Sequence, residues 1–393
     1  MSGVRIDIAD LTSLDWIQRR VHPAATSASL APLSDAGGLS GKMRKVEITS
    51  DDSSTPSTLI LKSYTNLERS KTLQLAREAF FYNALAAKLG GVTPKVYHAF
   101  GDMDTGEKVI LMQDLSSKHV QAGYFFGNCS PHNWGKDLVG LTGGLDQNSE
   151  ERVALTRTIA LHAFKIAAKM NSTFWKDKSL FKHSWLRSVG WLQGNGETEW
   201  KQHQETAFRA WRAEKSKIDE GKAQVKWDSR LVKIMDASFA KTSWGAFQDR
   251  IHAPDYVFSL VHGDYHPANL MWRKENEELV LLDWEVVGVG SGAQDCAQFL
   301  ISHMYPKERR DCEYELLRGY YSALIAGGVA EKDYSFDRCK ADYVVGGVAR
   351  WVWLLGILTS MCPPEWNQFF HDQLLAFALD HGVTAETVEM PRV

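Results

Sequence analysis

The stretch Val261-His262-Gly263-Asp264-Tyr265-His266-Pro267-Ala268-Asn269 sets a carboxylate and an amide five residues apart. A strand-like run, Tyr256 to Val261, leads into it, and another, Leu279 to Trp284, follows. The second run contains Leu281-Leu282-Asp283-Trp284-Glu285, so an apolar strand delivers a further carboxylate fourteen residues beyond Asn269. Beyond Asp295 the pattern is helical nearly to the end. Before the quoted stretch, Glu150 to Trp175 reads as a long amphipathic helix and tryptophan-bearing helical segments continue through Trp244. Residues 116–393 therefore form a mainly helical lobe with a small β insert at its centre. Ser117 to Asn148, rich in Gly, Asn and His, reads as a loop or lid.

The first 115 residues have a different texture. Gly37-Gly38-Leu39-Ser40-Gly41 is a glycine-rich turn ahead of a strand at Met43 to Thr49. A second strand, Thr58 to Tyr64, carries Lys62 inside an apolar run, where a lysine has no packing reason to be. The spacing predicts a helix over Arg69 to Leu89, stopped by Gly90-Gly91, and it holds Glu78 sixteen residues after Lys62. Val96 to Phe100 and Val109 to Met112 read as two more strands. Residues 1–115 are thus a small α+β lobe, and the chain as a whole is α+β with two lobes.

These residues make chemical sense together. A transferring phosphoryl group is heavily anionic and a hydroxyl is a poor nucleophile. One carboxylate must orient the hydroxyl and take its proton, while a second carboxylate and an amide oxygen hold magnesium against the phosphates. Asp264 suits the first role, and Asp283 and Asn269 suit the second. The Asp264–Asn269 spacing matches the H-x-D-x-x-x-x-N catalytic-loop signature. A strand lysine paired with a helix glutamate, Lys62 with Glu78, grips the α- and β-phosphates. The Gly37–Gly41 turn, with Gly38 and Ser40, lacks side-chain bulk and can donate backbone N–H groups and the Ser40 hydroxyl to phosphate oxygens.

The chain resembles the aminoglycoside phosphotransferase/choline kinase superfamily, and within it most closely the ecdysteroid-kinase-like (CHK) small-molecule kinases. The resemblance runs over roughly residues 30 to 325. It is carried by Lys62, Arg77-Glu78-Ala79-Phe80-Phe81-Tyr82, Leu111-Met112-Gln113-Asp114-Leu115, His262-Gly263-Asp264 with Asn269, Asp283 with Gly288, and Gly292 to Leu300. It implies a protein-kinase-like two-lobe fold: a small N-lobe with an antiparallel sheet and one helix, and a large, mainly helical C-lobe, with ATP between them. It also implies adenine contacts to the backbone near Gln113 to Leu115 and a loop-bracing role for His262. Three positions depart from the family pattern: Gln113 stands where Glu is usual, the glycine turn is not a full GxGxxG, and Asn171 replaces a usual histidine. The resemblance implies an acceptor site built from late helices, which singles out Trp351, Trp353 and Trp366 as candidates for an aromatic wall.

The acceptor is expected to be a small alcohol. By Asp295 the next helix has begun, and no APE motif follows Asp283, which leaves no platform for a peptide. An amino alcohol, a steroid-like alcohol, a sugar, an aminoglycoside or a specialised metabolite would each suit the machinery. Two alternatives stay open: a catalytically inactive nucleotide-binding protein, and a metal-dependent hydrolase using His262, Asp264 and His266 as H-x-D-x-H ligands. Asp295 by itself reads as a helix N-cap.

The 393 residues carry a net charge of −3, which offers no global basic field for nucleic acid. Five cysteines, an odd number with no CxxC spacing, argue for reduced thiols rather than a disulfide framework. The N-terminus lacks the charged-then-apolar pattern of a secretion signal, so a cytoplasmic location is expected. Val344 to Cys362, interrupted by Arg350 and three glycines, reads as a buried helix rather than a membrane span.

Overall fold

Successive side chains of a strand point to opposite faces, so Leu59 and Leu61 face one way and Ile60 and Lys62 the other. They belong to β3 (Thr58–Ser63), the middle strand of a five-stranded sheet in the order β1 (Ala25–Pro32), β2 (Lys42–Ser50), β3, β5 (Lys108–Gln113), β4 (Val96–Gly101). Every neighbouring pair is antiparallel, with Met43, Lys62 and Ile110 in register across β2, β3 and β5. The structure, a computed structural model, describes residues 3–33 and 42–393. The glycine turn with Gly38 and Ser40 lies outside the described residues.

One face of the sheet packs Leu59, Leu61, Val46 and Leu111 on Trp16 and Ile17 of the helix Leu14–Arg20. The other packs Ile60, Ile110 and Met112 on Ala79 and Tyr82 of the helix Arg77–Ala84. Lys62 shares this second face. β1 has no counterpart in the sequence reading, because Ala25–Pro32 is rich in Ala, Ser and Thr and shows no apolar alternation. The single helix expected over Arg69 to Leu89 is broken into Leu67–Thr72, Arg77–Ala84 and a 3₁₀ turn at Ala86–Leu89. Gln74, at φ 55°, turns the chain between the first two. The break seats Ala76 on β4 so closely that a Cβ at Gly101 would lie 2.7 Å from the Ala76 carbonyl oxygen.

The chain divides into two units: Met1–His119 with Met271–Val287, and Val120–Leu270 with Gly288–Val393. The sequence boundary after residue 115 assigned all of 116–393 to one lobe, whereas 271–287 packs with the first unit. Leu281 donates its N–H to the Val92 carbonyl at 2.8 Å. Trp284, fully buried, stacks on Phe81 with ring centroids 3.8 Å apart and planes 13° apart. Trp284→Ala is expected to destabilise the protein by about 3–5 kcal/mol, the usual cost of emptying a buried aromatic site. A lowered urea midpoint would show it, and Trp284→Phe, which keeps the stack, should lose much less.

The second unit is mainly helical. Its helices start on side-chain caps where the sequence offers them: Ser149 accepts from Arg152 N–H ahead of Glu150–Thr173, and Ser335 accepts from Arg338 N–H ahead of Phe336–Met361. Two three-residue strands, Ser259–Val261 and Gly288–Gly290, pair antiparallel and form its β insert. The helix Ala293–His303 is buried along its whole length. Glycines let Phe336–Met361 approach it: a Cβ at Gly347 would lie 2.5 Å from the Ala297 Cβ. Among the described residues, Phe336–Met361 is the one helix long and apolar enough to cross a membrane, and 56% of its apolar window is buried inside the protein. Ser117 to Asn148 is no open loop. From Ala122 it folds into short turns around buried Phe125 and Phe126, and Asn133 donates to the Gly123 and Gly127 carbonyls.

Candidate active site

In the first unit two lysines and three carboxylates interlock. Lys62 Nζ lies 2.7 Å from Asp283 Oδ1, 2.8 Å from Glu285 Oε1 and 2.9 Å from Glu78 Oε2. Lys108 Nζ lies 2.5 Å from the same Glu78 oxygen and 2.7 Å from the same Glu285 oxygen. Tyr64 donates its hydroxyl to Glu285 Oε1 at 2.7 Å and offers its ring face to Lys108 at 4.7 Å. Charges out of water persist only when paired, and here Lys62, Lys108, Glu78 and Glu285 each have more than one partner, while Asp283 meets Lys62.

The three carboxylates are not equivalent. Burial works against the Glu285 charge, but Lys62 and Lys108 overcome it and hold its carboxyl below the usual range. Burial pushes Asp283 up to about 6, and the neighbouring Glu285 and Glu78 add to that rise against the pull of Lys62. Asp283 has left-handed backbone angles, φ 64° and ψ 64°, which Asp tolerates better than most residues. Its side chain is 38% exposed, whereas that of Glu285 is 7%.

Glu78, Asp283 and Glu285 each present an oxygen within 4.8 Å of the others, the one such group of His, Cys, Asp or Glu among the described residues. Glu78 Oε1 is buried with no hydrogen-bond partner. An all-oxygen donor set with spare capacity fits a hard divalent cation.

In the second unit the loop at 262–269 is braced from three sides. Asp295 accepts from His262 N–H at 2.8 Å and from Gly263 N–H at 3.2 Å. Arg350, buried, donates to the Gly263 carbonyl at 2.9 Å. His262 Nδ1 accepts from the Asp264 N–H at 3.3 Å. Gly263 sits at φ 79°, a conformation that glycine supplies without strain. Asp295 is therefore no N-cap: Gly292 holds that position, and the Asp295 carboxylate is spent on the loop.

The loop presents Asp264 beside Asn269 and Gln298. Asn269 Nδ2 donates to the Asp264 carbonyl at 2.9 Å and to its Oδ2 at 3.2 Å, and Gln298 Nε2 reaches Oδ1 at 3.3 Å. Burial alone would raise Asp264, but His266, His262 and Arg350 hold it well below the usual carboxylate range. A carboxylate kept ionised and fixed by amide donors can accept a proton at a defined point.

Asn171, in place of the expected histidine, joins the elements behind this loop. Its Nδ2 donates to the Leu260 carbonyl, its Oδ1 accepts from Tyr320, and its main-chain oxygen accepts from Ser259.

Lys62, Glu78 and Asp283 thus meet in the first unit, and Asp264 and Asn269 meet in the second. Gln113 and Leu115 line an open cavity of about 580 Å³ with Tyr82, Lys118 and Val280. No residue of β1, β2 or β3 lines it, so Lys62 lies outside it. Trp351 and Trp353 are packed in the interior, on Phe370 and under Arg350 respectively. Trp366 is half-buried beside His132, with ring centroids 5.7 Å apart. His262, Asp264 and His266 do not form a ligand group, which removes the observation behind the hydrolase reading.

Sequence reasoning passed over Glu285 and Lys108. Glu285 stood in the quoted run two residues after Asp283. Lys108 opens the apolar run Val109–Met112 much as Lys62 follows Leu59–Leu61, and that repeated oddity was the available signal.

The family model described as "Uncharacterized oxidoreductase dhs-27" (DUF1679) matches residues 252–368, less than half of the chain. Among curated proteins none matches the chain. Of solved structures, choline kinase from Cryptosporidium parvum Iowa II is similar with a TM-score of 0.55 and 9% identity, covering 96% of each chain. A GDP complex of a mutant aminoglycoside 2'-phosphotransferase-IIIa is similar with a TM-score of 0.50 and 12% identity, covering 93% of this chain and 96% of that one. At such identities the likeness is one of fold. Its small antiparallel-sheet lobe and large helical lobe are those that the sequence resemblance implied. In fold, the chain is thus similar to a choline kinase and an aminoglycoside phosphotransferase.

Proposed function

We propose that the chain transfers the γ-phosphoryl group of ATP to a hydroxyl of a small molecule, with magnesium. The observation that carries this reading is the Lys62–Glu78–Asp283 contact set on one unit, together with a braced loop presenting Asp264 and Asn269 on the other. In the reaction the bond from phosphorus to the bridging oxygen of ADP breaks, the acceptor oxygen bonds to phosphorus, and the hydroxyl proton passes to Asp264. Lys62 would hold the α- and β-phosphates, and Asp283 and Asn269, joined by Glu285, would hold the metal. The metal supplies charge neutralisation on the phosphate oxygens.

The short connection from Asp283 to the helix at Ala293 holds only a 3₁₀ turn and the strand Gly288–Gly290, which favours a compact acceptor over a peptide. Within the superfamily, the ecdysteroid-kinase-like branch and a cytosolic setting are part of this reading. The description of the matching family model suggests redox chemistry instead. Against it, every neighbouring pair in the five-stranded sheet is antiparallel, whereas a dinucleotide fold is built on parallel strands.

The test is ATP consumption across a library of small alcohols with magnesium, run beside NADH and NADPH oxidation. Acceptor-dependent ADP release that requires both Asp264 and Asp283 is expected. Nicotinamide turnover without ADP release would overturn the reading.

A further inference from the structure

The two buried lysines of the first unit do different work. Lys62 contacts all three carboxylates, while Lys108 contacts only the two glutamates: no ion pair joins it to Asp283. Lys108 is 0% exposed and is fixed by the first position of β5 and the Tyr64 ring, so it cannot swing out to a ligand.

We propose that Lys108 is a positioning residue, a permanent counter-charge that keeps Glu78 and Glu285 in place when Lys62 turns to the nucleotide. This rests on the nucleotide-and-metal reading of the site. The argument is one of charge. Two lysines against three carboxylates leave the cluster one negative charge in excess. If Lys62 alone neutralised the group, its move to a phosphate would strand two buried glutamates, which a low-dielectric interior resists.

With Lys108 in place, that move leaves one lysine facing Glu78, Glu285 and Asp283. The excess is then two negative charges, which matches a divalent cation. The partly exposed Asp283 is where that cation enters. Lys108 also fixes Glu285 through the same oxygen that Tyr64 holds, so the carboxylate arrives already oriented. Nucleotide binding and metal binding are thereby coupled through Lys62, and Lys108 makes the exchange possible.

The test is Mn²⁺ binding, followed by electron paramagnetic resonance, to wild type, Lys108→Met and Lys108→Arg at saturating AMP-PNP. AMP-PNP binding in chelator is measured beside it by calorimetry. Lys108→Met is expected to weaken Mn²⁺ binding at least about tenfold, the effect usual for losing an outer partner of a metal ligand. Its AMP-PNP affinity in chelator should stay within about threefold of wild type.

Lys108→Arg keeps the charge and should recover most of the Mn²⁺ affinity. It also serves as the test if Lys108→Met does not fold, since unchanged Mn²⁺ binding in Lys108→Met or a tenfold loss in Lys108→Arg would overturn the proposal. Equal losses in both measurements for Lys108→Met would show a merely structural role and overturn it as well. If wild type binds neither AMP-PNP nor Mn²⁺, the reading of the whole site fails rather than the role of Lys108.

Discussion

Asp264→Asn should lower acceptor-dependent ATP turnover by about 10²–10⁴-fold, the range for removing a positioned general base, while MgATP affinity changes little. The substitution is nearly isosteric. The Asp264 main-chain carbonyl still receives Asn269 Nδ2, and the new amide oxygen can still receive Gln298 Nε2. The brace from Asp295 and Arg350 acts on His262 and Gly263 and is untouched. Folding should therefore survive, with a melting temperature within a few degrees of wild type. Initial rates and MgATP titrations of the purified variant check both halves. A variant retaining more than a tenth of the wild-type rate would remove Asp264 from the chemistry.

Asp283→Asn should have two opposite effects. Metal-supported turnover falls by at least about a hundredfold, because an amide is a poor replacement for a charged oxygen ligand. The protein free of nucleotide and metal becomes more stable at neutral pH. The sign follows from the carboxyl itself, at 3.8 in ordinary surroundings and about 6 in the fold. The folded form holds this proton more tightly than the unfolded chain does. The resulting stability is present in full below about pH 4 and is lost as pH rises through about 6.

Asparagine never ionises, so Asp283→Asn escapes that loss. It also keeps the left-handed backbone at this position, which alanine would strain. Thermal melts in chelator should place Asp283→Asn above wild type by about 1–3 °C at pH 8, the gap narrowing toward pH 5. A variant less stable than wild type at pH 8, or one with intact metal-dependent turnover, contradicts the account of this residue. Such a trade of stability for function is common where a site crowds like charges.

Much of this arrangement was legible in the chain because the informative residues are locally anomalous. Lys62 interrupts an apolar strand, and Asp264 and Asn269 keep a fixed spacing in a short loop. Four strands of the early chain and the helical character of the later chain followed from periodicity, and their antiparallel pairing from the family resemblance. What stayed hidden depends on pairing over long sequence separations. Lys108 and Glu285 are 177 residues apart, and nothing near either one announces the other. Asp295 sits at a helix start, where a cap is the economical reading, and only the fold shows its oxygens turned to His262 and Gly263. Asn171 departs from the family pattern in sequence, and only the fold brings Tyr320 and Leu260 to its amide.

The return of 271–287 to the first unit bears on how the molecule is made. A fragment ending at His119 would keep the whole five-stranded sheet yet lack Asp283, Trp284 and Glu285. Phe81 would lose the indole that covers it, and Lys62 and Lys108 would be left to share Glu78 alone. During synthesis the nascent sheet must therefore wait, with two lysines under-neutralised, until residue 287 has cleared the ribosome. No single cut in the gene would release this unit as an autonomous piece.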